Sequence, residues 1–431
     1  MMTGINRNQT GVPSLAYSNN KLFDVDSILM LLVALAPILQ HYELAFFNPS
    51  LAITSVIAVI ALIRLGMHKI KVNNGFLLLI IYGLYASIIH GITIVNVMRE
   101  MAQIIVFLAV INDLFNIKKL KSYYRIIAIF ATILIILQYF CFYILDFHIQ
   151  LVDISLLNPK NSQWFDLVRT GMIGVTGSLL SFYRPSAFFL EPSHFAIYCI
   201  PVIVTTLFSQ TGDERSERLI ALFVSIGILF STSGMGIGMV VICWAVYLGF
   251  FYGQNGKVRT IQLKKLFSRR SIALMLLFLL ILAILYITVP IFQKSVARIF
   301  FSERAAGLSA IEGRTATGLR SLGMLQGIRT LIGFGDIYDI ADWNMSTFFF
   351  VTFKFGVIGM VLYYSFYIYS FFKLKREAQF MTGAFLILSL FTVHMFGAYY
   401  KMYYTILILF GYVQYKQEKD RLELLNTGQY R

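Results

Sequence analysis

The amino-acid sequence predicts an all-α, polytopic integral membrane protein, and three observations lead to this fold class. Of the 431 residues, 58% are hydrophobic and 13% are charged, whereas soluble proteins average about 25% charged residues. Apolar runs of roughly 17 to 25 residues recur along the chain, and a helix of that length crosses the hydrocarbon core of a bilayer. Lysine and arginine concentrate in short segments between these runs, which is typical of cytoplasmic loops.

The apolar runs predict about twelve transmembrane helices, within a range of about ten to fourteen, and two long outward-facing loops. The predicted segments are a cytoplasmic tail over 1–26, helices 1–5 over 27–146, a first long loop over 147–192, helices 6–9 over 193–292, a second long loop over 293–345, helices 10–12 over 346–415 and a cytoplasmic tail over 416–431. The connections at Asn96 and Gly234 are so short that either could be a kink or a re-entrant turn.

The distribution of basic residues orients both termini toward the cytoplasm. A phospholipid surface accounts for the net charge of +15, so no nucleic-acid partner is expected. The cations of the two long outward-facing loops are mostly arginine and include Arg169 and Arg184. Because arginine presents a rigid fork of donors to phosphate and carboxylate oxygens, these loops could form an anion-binding basin. Lipid headgroup contacts and salt bridges within the loops would explain the same composition.

The stretch from Tyr183 to Ala196 joins the first long loop to the next apolar run. Glu191 and Pro192 predict a helix start, because proline fits the first turn of a helix. Glu191 would then lie where backbone N–H groups favour an anion, and Arg184 is its nearest cation along the chain. The plain interpretation is a capped helix start with a structural ion pair between Arg184 and Glu191.

The Arg-x-Ser and Glu-Pro-Ser elements of this stretch resemble a motif of the Wzy-type polymerases, which join repeat units of O-antigen, capsule or exopolysaccharide. By this resemblance Arg184 and Glu191 are candidate catalytic residues. His194 follows the motif directly and is a candidate substrate-binding residue.

The second long loop carries a further resemblance. Gly313-Arg314, then Gly333-x-Gly335, then Gly356-x-x-Gly359 are similar to the G-R…G-x-G pattern and later glycine pair of the O-antigen polymerase and ligase superfamily. Thr317-Gly318-Leu319 stands where that family often has an aromatic residue, which leaves open whether Arg314 or Arg329 is the equivalent arginine. Without the resemblance, the default interpretation of Gly333 and Gly335 is a tight turn that re-enters the membrane.

The remaining candidate residues of the second loop are arginines and aspartates. Arg314, Arg320 and Arg329 would spread over more than one face of a single helix, so a bend at Gly323 or Gly327 is needed to bring them to one ligand. Asp336 and Asp342 suit the recognition of sugar hydroxyls, and a carboxylate there could accept a proton. No histidine occurs from 293 to 345. Ligases of the superfamily place a histidine in this loop, so its absence favours a polymerase.

Taken together, the resemblances imply a GT-C-like, O-antigen polymerase–ligase architecture in the bacterial inner membrane, with the active site facing the periplasm or outside. The implied activity is a metal-independent glycosyltransferase that polymerises undecaprenyl-diphosphate-linked oligosaccharides, with no cofactor. Arg184, Arg314 and Arg320 would neutralise the departing diphosphate, and Arg169 and Arg329 would add to the basin. Glu191 would either take the acceptor proton or only orient Arg184. The lipid bilayer is a partner, and a chain-length regulator and a flippase are candidate partners.

Two other functions remain open from the sequence, a lipid-linked oligosaccharide flippase and an O-antigen ligase. A flippase of the transporter type would show two similar halves with broken helices, and no such internal symmetry is evident. One charged pair inside a predicted span also has two interpretations: Arg99 and Glu100 could form a local ion pair, or they could belong to the basin.

Overall fold

The structure is a computed structural model, and it describes residues 25–43, 48–89, 94–152, 157, 183–209, 214–250, 310–335, 337, 345–396 and 399–426, with single helical positions between 273 and 293. The helices are α1 (Val25–Leu39), α2 (Pro49–Gly66), α3 (Asn74–Ile89), α4 (Ile94–Ile111), α5 (Ile117–Tyr143), α6 (Pro192–Leu207), α7 (Glu214–Phe230), α8 (Gly234–Phe250), α9 (Ala310–Gly323), α10 (Ile328–Ile332), α11 (Thr347–Lys373), α12 (Arg376–Phe391) and α13 (Tyr399–Asn426). Within these ranges strand-like pairing is limited to an isolated bridge between Tyr42 and Leu157.

Four helices are long and apolar enough to cross a membrane, namely α2, α4, α5 and α11. Shorter apolar helices are α1, α3, α6 and most of α8. The chain is therefore a helical membrane protein, as its composition predicts. The Gly234 connection is a turn at 231–233 between α7 and α8, in which Thr232 has a φ of 53°. Asn96 lies inside α4, and residues 90–93 before it lie outside the described part of the chain.

Charged side chains join the helices at one end of the bundle. Asp26 at the start of α1 pairs with Arg64 at the end of α2, with an N–O distance of 2.5 Å. Arg125 near the start of α5 pairs with Glu217 near the start of α7 at 2.6 Å. Lys121 of α5 pairs with Glu377 of α12. We call the opposite end, where α4, α6, α11 and α13 begin, the Pro192 end.

Helix α6 lies at the centre of the bundle, and nearly all of its residues are buried. Pro201 interrupts its hydrogen bonding, because proline has no N–H to donate to the carbonyl four residues earlier, which is that of Ile197. The Tyr404 hydroxyl of α13 donates to this carbonyl instead, at 2.9 Å. In a lipid environment an unsatisfied carbonyl has no water to bond, so Tyr404 of α13 supplies the hydrogen-bond donor that Pro201 lacks.

The same device recurs at α1, which contains Pro37. Its missing N–H leaves the carbonyl of Val33 free, and the Tyr124 hydroxyl of α5 donates to that carbonyl at 3.4 Å. Tyr198 of α6 donates to the next carbonyl of α1, that of Ala34, at 3.0 Å. Tyrosine hydroxyls therefore join the proline-containing helices to their neighbours.

Replacing Tyr404 by phenylalanine should lower the free energy of unfolding by about 1–3 kcal/mol, because the Ile197 carbonyl is left buried without a donor. Tyr403→Phe is the matched control, since Tyr403 is equally buried but makes no hydrogen bond through its hydroxyl within the described residues. The measurement is thermal or denaturant unfolding of the purified protein in nanodiscs. Equal stability losses in the two variants would contradict this account of Pro201.

Candidate functional site

Helix α6 begins at Pro192, as the sequence predicts, and Glu191 is its N-cap residue with an extended backbone. The Glu191 carboxylate makes no cap hydrogen bond to the helix backbone. Its Oε2 accepts a hydrogen bond from the Ser193 hydroxyl at 2.7 Å. The helix start of the plain interpretation is therefore present, without a side-chain cap hydrogen bond, and the described contacts include no ion pair between Glu191 and Arg184.

The segment before Glu191 is held by helix α5. Ala187 adopts a left-handed backbone with φ of 53°, and its N–H donates to Gln138 Oε1 at 2.8 Å. The Tyr143 hydroxyl donates to the carbonyl of Tyr183 at 2.9 Å. Two side chains of α5 therefore fix the backbone on both sides of Arg184.

Arg184 is directed toward the turn between α7 and α8. Its Nη2 donates to the carbonyl of Thr232 at 3.4 Å. Thr232 has a left-handed backbone, which takes its carbonyl out of the helical hydrogen-bonding pattern. Arg184 is half-buried as a residue, and its Nε is buried.

His194 is buried and stacks on His41, with ring centroids 4.4 Å apart and ring planes within 6° of each other. His41 follows the end of α1, and Gln40 beside it accepts a hydrogen bond from the backbone N–H of Tyr399 at 3.1 Å. The ring of Tyr400 lies 5.8 Å from that of His194. The ends of α1, α6 and α13 therefore meet at this pair of histidines.

Glu100, in the fourth predicted span, pairs with a residue that is distant in sequence and not with its neighbour Arg99. Glu100 Oε2 accepts from Lys401 Nζ at 3.0 Å, and the two side chains are 3% and 2% exposed. The Lys401 ammonium also lies over the rings of Tyr82 and Tyr363, at 5.1 and 5.7 Å from their centroids. Aromatic faces and one carboxylate therefore surround this buried cation.

The glycines of the second motif form a backbone interlock. Helix α11 is broken at Gly356, which has φ of 67°. The break frees three carbonyls, and each accepts a hydrogen bond: Phe334 N–H donates to Phe353 at 3.1 Å, Gly335 N–H to Lys354 at 2.8 Å, and the Tyr85 hydroxyl to Phe355 at 2.8 Å.

Glycine is required on both sides of this interlock. A Cβ added to Gly333 would meet the carbonyl oxygen of Lys354, and one added to Gly356 would meet the carbonyl of Leu331. Both residues, like Gly335, also have positive φ, which disfavours other residue types. The positive-φ turn expected at Gly333 and Gly335 is therefore present, and its partner is the break in α11; that the turn re-enters the membrane stays a prediction.

The arginines of the second loop are divided between two helices. Arg314 and Arg320 lie on α9, where Arg320 is exposed. Arg329 lies on the short helix α10, and the turn between the helices contains Gly327 with φ of 55°. Arg329 Nη1 donates to the Gly333 carbonyl at 3.3 Å and lies over the Phe334 ring at 5.6 Å, so Arg329 stabilises the interlock.

Several predicted site residues cannot be placed. Arg169, Asp336 and Asp342 lie outside the described residues, and so does the side chain of Arg314. Of the other predicted residues, Arg184, Glu191 and His194 lie together at the Pro192 end, whereas Arg320 and Arg329 lie on the α9–α10 segment packed against the start of α11. Among the described residues, no group of three His, Cys, Asp or Glu could hold a metal ion.

Sequence reasoning missed Gln40, His41 and the partnership of Glu100 with Lys401. The residues around His41 are polar and directly follow an apolar run, which is a weak signal that many loops share. Glu100 and Lys401 are separated by 301 positions, so no local spacing rule connects them. The assembled site offers a carboxylate, a half-buried guanidinium and a stacked imidazole pair, groups that can accept a proton, bind an oxyanion and contact a sugar ring.

Gly356→Ala should lower the unfolding free energy by at least about 1–2 kcal/mol, because a Cβ is strained at positive φ and would also meet the Leu331 carbonyl. Gly238→Ala is the control, since nothing lies within 4 Å of an added Cβ there. Its position inside α8 should make that change neutral or stabilising. Unfolding in nanodiscs measures both, and a neutral Gly356→Ala would contradict the interlock.

Lys401→Met should lower stability by about 3–5 kcal/mol, because it leaves the Glu100 carboxylate buried without a cation. The double variant Glu100→Gln with Lys401→Met removes both charges and should recover most of that loss. Lys419→Met is the control, because its ion pair with Glu423 is more than 60% exposed and worth about 1 kcal/mol or less. If the double variant were as unstable as Lys401→Met, the loss of stability would not be due to the unpaired Glu100 charge.

No protein-family model and no curated protein matches this chain. The function of the site must therefore be argued from its residues and their geometry.

Proposed function

We propose that the protein is a membrane glycosyltransferase that polymerises polyprenyl-diphosphate-linked oligosaccharide repeat units into a bacterial surface polysaccharide. The observation that supports this most directly is the state of Glu191. Its carboxylate is neither a helix cap nor a partner of Arg184, although both roles were open to it. An acidic group and a guanidinium on one short segment suit a reaction that needs a proton acceptor and an anion-binding group.

In the proposed reaction, the hydroxyl oxygen of the acceptor sugar attacks the anomeric carbon of the donor. The bond between that carbon and the diphosphate oxygen breaks, and its electron pair leaves with the diphosphate. The acceptor proton passes to the Glu191 carboxylate. Arg184 binds the departing diphosphate and stabilises the negative charge that develops on it.

The surrounding residues would orient the substrates. His41 is half-buried and stacks on the buried ring of His194, so its ring, held in place by that stack, would contact a sugar ring. Arg320 on α9 is exposed, and with Arg314 it would add positive charge near the same carrier. Asp336, Asp342 and Arg169 remain candidate substrate-binding residues.

The proposal includes an orientation and a span count. About twelve transmembrane helices, with both long loops outward, would place the Pro192 end at the outer face of the inner membrane. The basic residues Lys119, Lys121 and Arg125 lie at the start of α5, the opposite end, which agrees with a cytoplasmic location for that end. The polyprenyl chain would enter from the bilayer between helices.

The test is the length of surface polysaccharide in a deletion strain complemented with variants at comparable expression. Arg184→Ala and Glu191→Gln should abolish the long polymer ladder, lowering polymerisation by about 100-fold or more, and leave single repeat units. Arg184→Lys keeps the charge without the fork and should be intermediate. Ser193→Ala, which removes only the hydrogen bond to Glu191, should retain polymer and is the control.

The products seen in the deletion strain separate the alternatives. Loss of the ladder with single repeat units still made supports polymerisation. Repeat units trapped at the cytoplasmic face would indicate a flippase, and long polymer left on the lipid carrier would indicate a ligase. An unchanged ladder from well-expressed Arg184→Ala would exclude the proposed role of Arg184.

A further inference from the structure

Arg99 is a second guanidinium at the Pro192 end, on the first turns of α4. Its neighbour Glu100 is the obvious local partner, but Glu100 turns to Lys401 and is buried with it. Adjacent residues on a helix are separated by about 100° around its axis, so the two side chains point in different directions. The local ion pair that the sequence allowed is therefore replaced by a long-range one, and Arg99 keeps its charge.

The Arg99 side chain makes no hydrogen bond and no ion pair with any residue that the structure describes. Its Nε is fully buried and without an acceptor. The charge of Arg99 acts electrostatically on Tyr82 and Tyr399, and neither is an anion that neutralises it. A buried N–H without an acceptor is destabilising, so the Nε of Arg99, on a side chain that is only partly buried, calls for an acceptor from outside the described protein.

The surroundings of Arg99 connect it to the candidate site. Tyr399, on which its charge acts, is bonded through its backbone N–H to Gln40, the residue next to His41. His41 in turn stacks on His194 of the Glu191 helix. Arg99 of α4 is therefore linked to the site through Tyr399, Gln40 and His41, whereas Arg184 is held beside α5 and the turn after α7.

We propose that Arg99 is a second anion-binding residue of this site, with its guanidinium bound to an oxyanion of the substrate. The shared chemistry is an oxygen-rich anion, either a phosphoryl group of the lipid-linked donor or the carboxylate of an acidic sugar. This inference rests on the proposed function for the identity of the substrate. The existence of the anion site rests on Arg99 itself and can be tested without any polymerisation assay.

The experiment measures the unfolding temperature of the full-length protein in nanodiscs at low ionic strength. The probes are inorganic diphosphate, glucuronate and, as a control for non-specific anions, sulfate. Diphosphate or glucuronate should raise the unfolding temperature of the wild-type protein, and Arg99→Gln should weaken the apparent affinity by about tenfold or more. Arg99→Lys should retain part of the effect. Arg125→Gln, a change of the same type at the opposite end, should retain all of it.

A second readout separates binding from a structural role. If Arg99 is held for a ligand, Arg99→Gln without ligand should unfold at the same or a higher temperature than wild type, because an unpaired cation has been removed. A purely structural arginine would lower it. A lowered unfolding temperature, failure of the variant to fold, or an unchanged ligand response would each overturn the proposal, as would the absence of any anion-dependent shift in the wild-type protein.

The outcomes also identify the source of the anion. A shift with diphosphate and none with glucuronate assigns the site to the phosphoryl group, and the reverse assigns it to an acidic sugar. If the deletion strain keeps its polymer ladder, the polymerase function fails, while the binding measurement still decides whether Arg99 holds an anion.

Discussion

The buried ion pair between Glu100 and Lys401 is the interaction on which the rest of the Pro192 end depends. Lys401 lies in the first turn of α13, directly after Tyr400, whose ring packs beside His194. The same ammonium lies over the ring of Phe396, which packs against Phe355 next to the break in α11. Removing either partner would leave the other charge buried without compensation, so the pair is strongly held. Through Tyr400 and Phe396, it fixes the position of α13 relative to both His194 and the break in α11.

Backbone hydrogen bonding explains why the irregular parts of the bundle are so specific. A membrane protein cannot leave carbonyls unpaired in lipid, and the chain interrupts its helices at Pro37, Pro201 and Gly356. Each interruption is matched by a donor from another helix or loop, such as the Tyr404 hydroxyl for α6. The breaks therefore select which helices are neighbours, and through them they place Glu191 at the start of α6, beside the start of α13 and the end of α1.

The cations at the two ends of the bundle serve different purposes. Arg64 and Arg125 are paired with carboxylates, which suits a role in holding helices together. At the Pro192 end Lys401 pairs with Glu100, Arg99 has no carboxylate partner within the described residues, and Arg184 donates to the backbone carbonyl of Thr232. A guanidinium without a carboxylate partner, such as that of Arg99, suits an anion arriving from outside, and binding sites are commonly built at such a cost to stability.

The sequence by itself determined the helical membrane class, the helix start at Pro192 and the tight turn at Gly333 and Gly335. These depend on hydrophobic length, proline geometry and glycine conformation, which are local properties of the chain. Only the tertiary structure decided that Glu100 pairs with Lys401, that His41 stacks on His194 and that Arg184 and Glu191 do not pair. These contacts depend on which helices pack together. Glu100, for example, pairs with Lys401, which is far away in sequence but close in space, and not with Arg99, whose side chain points in another direction.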